Sequence, residues 1–357
     1  MFRSIHLVKT ARPESTGICR IIMSLARFAK PHGYAVSVLF FEDGPLRAEM
    51  AEAGISAHAI SWKGTFQDLP GAVRACVWLR RNCPEIVHLH WGGRAVRAIS
   101  RLGGAGVVVK HVHARIDENT GEILEELAFP WADAVVACSV AVATRVISHR
   151  PQVIYAGIEV DPAPNPLTGH SGPLQVGVLS RLTPVKNVEA VIEAAAKLRD
   201  SGIAIEVNIA GSGPCETALR ALAGELKVAD RVRFLGWRND IRALLSDWDL
   251  LVMPSLDEGF PLAAIEAMAA ARPVLASRVG GLPEIVEDGT TGYLIPPNDI
   301  QALVHCIAEV AHDRARLAKM GAEGWKRVQQ EFTEAAMADR MADFYARLLK
   351  QKGLRPG

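Results

Sequence analysis

Short runs rich in Val, Ile and Leu alternate with longer amphipathic stretches from one end of the chain to the other. In the first half, 5–9 (IHLVK), 35–41 (AVSVLFF), 86–90 (IVHLH), 106–113 (GVVVKHVH), 134–139 (AVVACS) and 152–157 (QVIYAG) read as strands. The pattern restarts at 174–180 (LQVGVLS) and continues through 205–211 (IEVNIAG), 231–236 (RVRFLG), 250–255 (LLVMPS) and 273–277 (PVLAS). Helical periodicity fills the gaps, for example at 188–199 and 214–226. Strands apolar on both faces, alternating with helices, predict parallel sheets covered by helices. Between the two series, 161–173 (DPAPNPLTGHSGP) holds four prolines and two glycines and reads as a linker. The expectation is two open α/β domains in tandem, 1–165 and 166–332. A last amphipathic helix within 333–357 has no strand after it and is placed back on the first domain. Ligands in such sheets sit beyond the carboxyl ends of the strands. Two such domains, with strand ends facing across a cleft, suit a two-substrate reaction.

Composition narrows this picture. A chain of 357 residues is too long for one ordinary core. A hydrophobic content of 49% with 22% charged residues is that of a globular protein. The net charge of +1, with no Lys/Arg-rich or basic–aromatic stretch, argues against nucleic acid as a partner. Six cysteines, at 19, 76, 83, 138, 215 and 306, form no C-x-x-C pair and read as buried, reduced thiols. The opening MFRSIHLVKTARPE has no apolar run of signal-peptide or membrane-spanning length, which places the chain in the cytoplasm.

The candidate chemistry lies at the strand ends of the second half. In LDEGFPLAAIEAMAAARPV (256–274), Glu258 and Glu266 flank the start of an Ala-rich helix. Pro261 is expected at the first helical position, which makes Phe260 the capping residue. Phe260 has no side-chain oxygen, so the amides of Leu262 and Ala263 stay open to an anion. Eight residues at 100° each leave the two glutamates about 80° apart, reaching different parts of one ligand. The plainer alternative is that Glu258 complements the helix dipole and Glu266 is a solvated surface group. After the strand at 174–180, Arg181 and Lys186 are two cations able to neutralise a diphosphate, or ordinary solvated loop charges. In IAGSGPCE, Gly211 and Gly213 allow close backbone approach. Glu216 stands where a dinucleotide fingerprint needs a small residue, so a nicotinamide site is not expected.

These stretches, SRLTPVKN, IAGSGP, VRFLGW and SLDEGFPLAAIEAMAAARPVLASRVGGLPEIVEDGTTGYLIPPND, resemble the donor-binding domain of retaining glycosyltransferases of family 4, which have the GT-B fold. The resemblance runs from about 174 to 300. It implies that Arg181 and Lys186 hold the donor diphosphate and that Glu258 binds hydroxyls of the donor sugar. Gly259, Phe260 and Leu262 would line sugar and phosphate, Glu266 would hold the ribose, and Trp237 and Arg238 would lie against the base. The implied co-substrate is a UDP- or GDP-linked sugar, with no metal required. The implied acceptor is a glycan or lipid-linked glycan of a surface polysaccharide, with peripheral contact at the inner face of a membrane.

The first half matches more loosely. TGICRIIMSLARFAKPHGYAVSVLF resembles the family's first loop and helix, but Thr16 and Cys19 replace its usual glycine and glutamate, leaving Gly17 to approach the diphosphate. VVVKHVHAR resembles the strand that ends in the donor-side histidine, and His113 takes that place over His111. The Asp-x-Asp at 247–249 runs into a buried strand and reads as structural. Arg94, Arg97 and Arg101 share one helical face, either solvated or facing an anionic lipid or glycan. The reaction implied is sugar transfer with retention of configuration. The alternatives are an epimerase or phosphorylase on the same fold and a non-catalytic nucleotide-sugar-binding partner.

Overall fold

The computed structural model describes residues 1–114, 127–163, 167 and 172–354. These fall into two compact units. The first holds the described residues up to Ile158 together with those from Thr333 onward, and the second runs from Glu159 to Phe332. The linker stretch 161–173 lies largely outside the described residues.

The first unit is built on strands β1 (Phe2–Thr10), β2 (Tyr34–Glu42), β3 (Ser56–Ala59), β4 (Ile86–Leu89), β5 (Val107–Val112), β6 (Ala134–Ala137) and β7 (Gln152–Val153). They form one parallel sheet in the order β3-β2-β1-β4-β5-β6-β7. Helices α1 (Thr16–Ala29), α2 (Pro45–Glu52), α3 (Leu69–Asn82), α4 (Arg94–Leu102) and α5 (Val140–Ala143) connect them. Strand alternation sorts the core into two layers. Ile5, Leu7, Phe41, Val87, Leu89 and Val108 pack on α3 and α4. Val8, Val38 and Phe40 pack on α1 and α2.

The second unit repeats the plan with β8 (Leu174–Leu179), β9 (Ile205–Ala210), β10 (Val232–Gly236), β11 (Leu250–Met253), β12 (Val274–Ser277) and β13 (Gly292–Ile295). The sheet is parallel, in the order β10-β9-β8-β11-β12-β13. Its helices are α6 (Glu189–Asp200), α7 (Glu216–Glu225), α8 (Ile241–Asp247), α9 (Leu262–Ala269), α10 (Leu282–Ile285), α11 (Ile300–His312) and α12 (Arg314–Glu331). The chain ends in α13 (Glu334–Gln351), which belongs to the first unit. Its first residue, Glu334, accepts bonds from Ser24 Oγ (2.6 Å) and Arg27 Nη1 (2.9 Å) of α1. Farther along, buried Tyr345 meets Phe2 and Tyr34 edge-on.

Two strands escape the hydrophobic pattern. β3 reads SAHA and is a half-exposed edge strand, and β13 is a four-residue GYLI run. Several other strands stop short of their apolar run: LLVMPS pairs only to Met253, and Ser255 is buried in the loop beyond it. Hydrophobicity marks burial rather than ladder pairing, and loops folded over strand ends are buried too. Cys83 is exposed, unlike the buried thiol expected there. Among the described residues no helix is long and apolar enough to cross a membrane.

Among the described residues Arg272 is the largest fully buried side chain. It follows α9 and donates to the carbonyls of Leu245 (2.8 Å) and Ser246 (3.0 Å) near the end of α8, and of Ala270 (3.0 Å) at the end of α9. A cation placed on the carbonyls that close two helices satisfies one buried acceptor, Leu245 O, and two partly buried ones. Its removal leaves the buried Leu245 carbonyl without this donor, at about 1–3 kcal/mol, weakens two partly buried acceptors and empties the space the side chain fills. Arg272→Ala is therefore expected to lose about 3 kcal/mol or more in urea denaturation, with Arg272→Lys recovering less than half. A loss under about 1 kcal/mol contradicts this role.

Candidate functional site

In the second sheet the chain turns outward in both directions from the neighbouring strands β8 and β11. This is a topological switch point, where the loops leaving the carboxyl ends part and leave room for a ligand. The loop after β8 carries Lys186 in a short 3-10 turn, Pro184–Lys186. The loop after β11 carries Glu258. Lys186 Nζ donates to Glu258 Oε1 at 2.7 Å, and Ser255 Oγ donates to the same oxygen at 2.8 Å. The Glu258 side chain is 6% exposed and that of Lys186 23%.

Side-chain and backbone hydrogen bonds hold the two loops together. Asn187 closes the 3-10 turn in the left-handed region, φ +50°, and its Nδ2 donates to Pro254 O (3.2 Å) and Asn298 Oδ1 (3.3 Å). Leu256 N donates to Val185 O at 2.8 Å. Behind Glu258 lies Gly280 at φ +52°, where a Cβ would fall 1.7 Å from the Glu258 carbonyl oxygen. Gly281 N donates to that oxygen at 3.2 Å. Asn187, Ser255, Gly280 and Gly281 were not among the expected site residues. The available signals were the Gly-Gly pair and the Asn after Lys186, a residue type that tolerates positive φ.

The start of α9 differs from expectation. Its capping residue is Pro261, with extended backbone (φ −74°, ψ 119°), and helical structure begins at Leu262. Phe260 lies one residue farther out and its ring packs edge-on against Phe332 at 5.6 Å. Seating that ring in the core leaves Pro261 to make the bend. Pro261 itself supplies no side-chain cap, and Ala264 N is taken by Pro261 O at 3.2 Å. Gly259 is buried, and Leu262 is partly exposed at the helix start. Glu266, in the second turn, is 8% exposed. Neither glutamate is a solvated surface group.

The other expected residues separate into two sets. Arg181, just past β8, is exposed and its guanidinium makes no hydrogen bond or ion pair among the described residues. The structure pairs Glu258 with Lys186, not with Arg181. Gly211 and Gly213 pack the loop after β9 on that after β8: a Cβ at either would lie 1.9 Å from Ser180 O or 2.3 Å from Leu182 O. Trp237, after edge strand β10, is 53% exposed and donates to Asn239 Oδ1 at 3.0 Å. Arg238 forks onto Asp240, so its guanidinium is already engaged. Asp249 accepts from Gln175 N (2.8 Å) and Arg314 Nη1 (2.5 Å), a structural use of the Asp-x-Asp.

In the first unit the corresponding switch point lies between β1 and β4. His113 stands just past β5, its Nε2 2.7 Å from His90 Nδ1. Burial, and then the Lys110 cation, push its pKa down, so the ring is neutral. The stretch Thr16–Cys19, expected as a loop, is the first turn of α1, with Gly17 exposed within it. Cys19 is buried, and burial with the nearby Glu49 pushes its thiol up to about 12. It cannot stand in for an exposed carboxylate. The single basic face on α4 is not formed either. Arg101 is tied to Asp133 and to the Ala105 and Gly106 carbonyls, and Arg97 Nε is buried, which leaves Arg94 exposed.

Residues 165–327 match the family model of glycosyl transferases group 1, and residues 15–162 that of Glycosyltransferase Family 4. Among curated relatives, the putative colanic acid biosynthesis glycosyltransferase WcaL of Salmonella typhimurium is 34% identical over 179 residues, 48% of this chain and 44% of that protein. The chain thus spans under half the length of that relative. An Escherichia coli UDP-Gal:alpha-D-GlcNAc-diphosphoundecaprenol alpha-1,3-galactosyltransferase is 24% identical over 377 residues, 95% of this chain and 96% of that enzyme. Among solved structures, Anabaena HepE in complex with UDP and glucose aligns with a TM-score of 0.80 at 20% identity, over 97% of this chain and 100% of that one. TarM aligns at 0.79 and 13%, over 97% and 99%. Both parallel-sheet units are those of the GT-B fold. With one family model on each half and the second-unit motifs in order within the match over 165–327, the chain belongs to glycosyltransferase family 4.

Proposed function

We propose that the protein transfers a sugar from a nucleotide diphosphate sugar to an acceptor hydroxyl with retention of anomeric configuration. The observation that carries this reading is the Lys186–Glu258 contact at the switch point, in the loop that leads into an uncapped helix. The donor is a UDP- or GDP-linked sugar. UDP is bound in the solved HepE structure, and the aligned E. coli relative is named for UDP-galactose and a lipid-linked acceptor. A glycan or lipid-linked glycan is the proposed acceptor, read by the first unit.

In the reaction the bond between the anomeric carbon and the diphosphate oxygen breaks, and charge grows on the leaving phosphate. Lys186, exposed Arg181 and the start of α9 take up that charge without a divalent metal. Glu258 holds hydroxyls of the departing sugar, and Glu266 holds the ribose. The acceptor hydroxyl attacks from the face the diphosphate leaves, passing its proton toward the leaving oxygen, which preserves configuration. A second reading, a non-catalytic nucleotide-sugar binder, is favoured by one observation: α1 opens with buried Cys19 where the family carries a glutamate. Slow hydrolysis of donor without acceptor separates them, because a pure binder leaves the donor intact.

UDP or GDP at 100 times its dissociation constant is expected to stabilise the metal-free protein by about 2.7 kcal/mol, a shift of a few degrees in melting midpoint. No shift with either nucleotide contradicts the donor site. Glu266→Ala is expected to weaken nucleotide binding about tenfold or more, from lost charge-assisted hydrogen bonds. Equal UDP affinity in that variant and wild type removes the ribose assignment. Glu258→Ala is expected to keep nucleotide affinity within about threefold and lower transfer about 100-fold. Gly280→Ala is expected to lower both the melting midpoint and donor affinity, because its Cβ collides with the Glu258 carbonyl. A variant indistinguishable from wild type shows that the loop behind Glu258 tolerates displacement.

A further inference from the structure

Five of the eleven histidines lie on one face of the first sheet. His6 is on β1, His88 on β4 with His90 just past it, and His111 on β5 with His113 just past it. Parallel register sets His6 beside His88. Two-residue alternation keeps 88 with 90 and 111 with 113, while Ile5, Leu7, Val87, Leu89 and Val108 take the opposite face. The rings form a stack, with centroids 4.9 Å apart for His6–His88 and His88–His90, 5.0 Å for His90–His113 and 4.0 Å for His111–His113. Among the described residues no carboxylate bonds to any of the five.

Within the stack three rings converge. One nitrogen from each of His88, His90 and His111 lies within 4.8 Å of the others, and all three residues are buried. His88 Nε2 and His111 Nδ1 are 3.1 Å apart. Two nitrogens each about 2.0–2.1 Å from a shared tetrahedral ion lie about 3.3 Å apart, so this pair is close to ligand spacing already. We propose that His88, His90 and His111 bind one borderline transition-metal ion of the zinc type. An all-imidazole set selects zinc, nickel or copper over magnesium, calcium or manganese.

Three features of the surroundings support ligation. Burial holds all three rings well below the usual imidazole pKa, so they present neutral nitrogens at neutral pH. The ring nitrogen of His88 facing away from His111 already has an oriented partner, as ligating histidines do: Nδ1 lies 2.5 Å from the Tyr345 hydroxyl on α13. His90 bridges His6 (2.8 Å) and His113 (2.7 Å) through its two nitrogens, and ligates by releasing one of them. The proton balance closes without loss: the proton shared between His88 Nε2 and His111 Nδ1 moves to a far ring nitrogen, and each imidazole stays neutral. Three ligands leave a position for water or hydroxide. Keeping its bond to His113, a metal-bound His90 would also fix the orientation of that ring.

The test uses the full chain without an affinity tag, stripped with chelator and titrated with cobalt(II), read by visible absorption and by metal analysis after desalting. The expected result is one ion per chain with the intense bands of low-coordinate cobalt, displaced by zinc. The double variant His88→Gln, His111→Gln is expected to lose about 100-fold or more in cobalt affinity with its circular dichroism unchanged. If that variant does not fold, proton NMR of the cobalt-loaded wild type decides, through hyperfine-shifted ring N–H signals from three histidines. No ion held by wild type above the level of the variant, or no such signals, overturns the proposal and leaves the stack a metal-free array of hydrogen-bonded imidazoles.

Discussion

The second unit is organised around one partly buried ion pair, Lys186 with Glu258. A lysine desolvated beside a carboxylate is held in place only if the backbone on both sides is fixed. Here it is fixed from three directions: by the Asn187 turn, by the Leu256–Val185 bond and by Gly280 pressed against the Glu258 carbonyl. The parallel register of β8 and β11, Val176 beside Leu250 and Gly177 beside Leu251, brings the two loops to the same level. Beside that pairing, Gly177 leaves room for the Trp248 ring, which lies where its Cβ would fall. The site is therefore a consequence of how two central strands pair.

The pair also sets the electrostatics proposed for donor binding. In the free protein Glu258 satisfies Lys186, which keeps a cation in the loop without leaving it unpaired. In that proposal a diphosphate, which brings more negative charge than one carboxylate, would share Lys186 and take exposed Arg181 as a second cation. The open end of α9 adds backbone donors next to Glu258. Preorganised groups of this kind suit charge that develops on a leaving phosphate, since little has to move when it forms.

What the sequence made legible follows the same physics. The apolar runs that become central strands, such as LQVGVLS and LLVMPS, are buried on both faces and announce themselves. The edge strand SAHA does not, because half of it faces solvent. The glutamates and cations stood out as charges in an apolar stretch, and the resemblance gave them roles. Gly280 stayed hidden because its work is backbone geometry, visible only when φ is known, and Asn187 because its side chain bonds to partners far along the chain. The opening of α1 misled for a related reason: Thr-Gly-Ile-Cys has little helical signature, yet the apolar face that follows carries the helix back to Thr16. The histidine stack was beyond reach, since IVHLH and VKHVH each show only a period of two. The strand order β1-β4-β5 is what turns one single histidine and two separate pairs into one cluster.

The most direct test of the central pair is a double-mutant cycle on Lys186→Ala, Glu258→Ala and the combined variant, by urea denaturation at low salt. Each single variant leaves a charge without its partner in a partly desolvated place, whereas the double variant removes both. The account predicts that the double variant loses less stability than the sum of the singles, with a coupling of about 1 kcal/mol or more. Losses that add within about 0.5 kcal/mol would mean the two side chains are solvated independently, and the organising role given to the pair would be wrong.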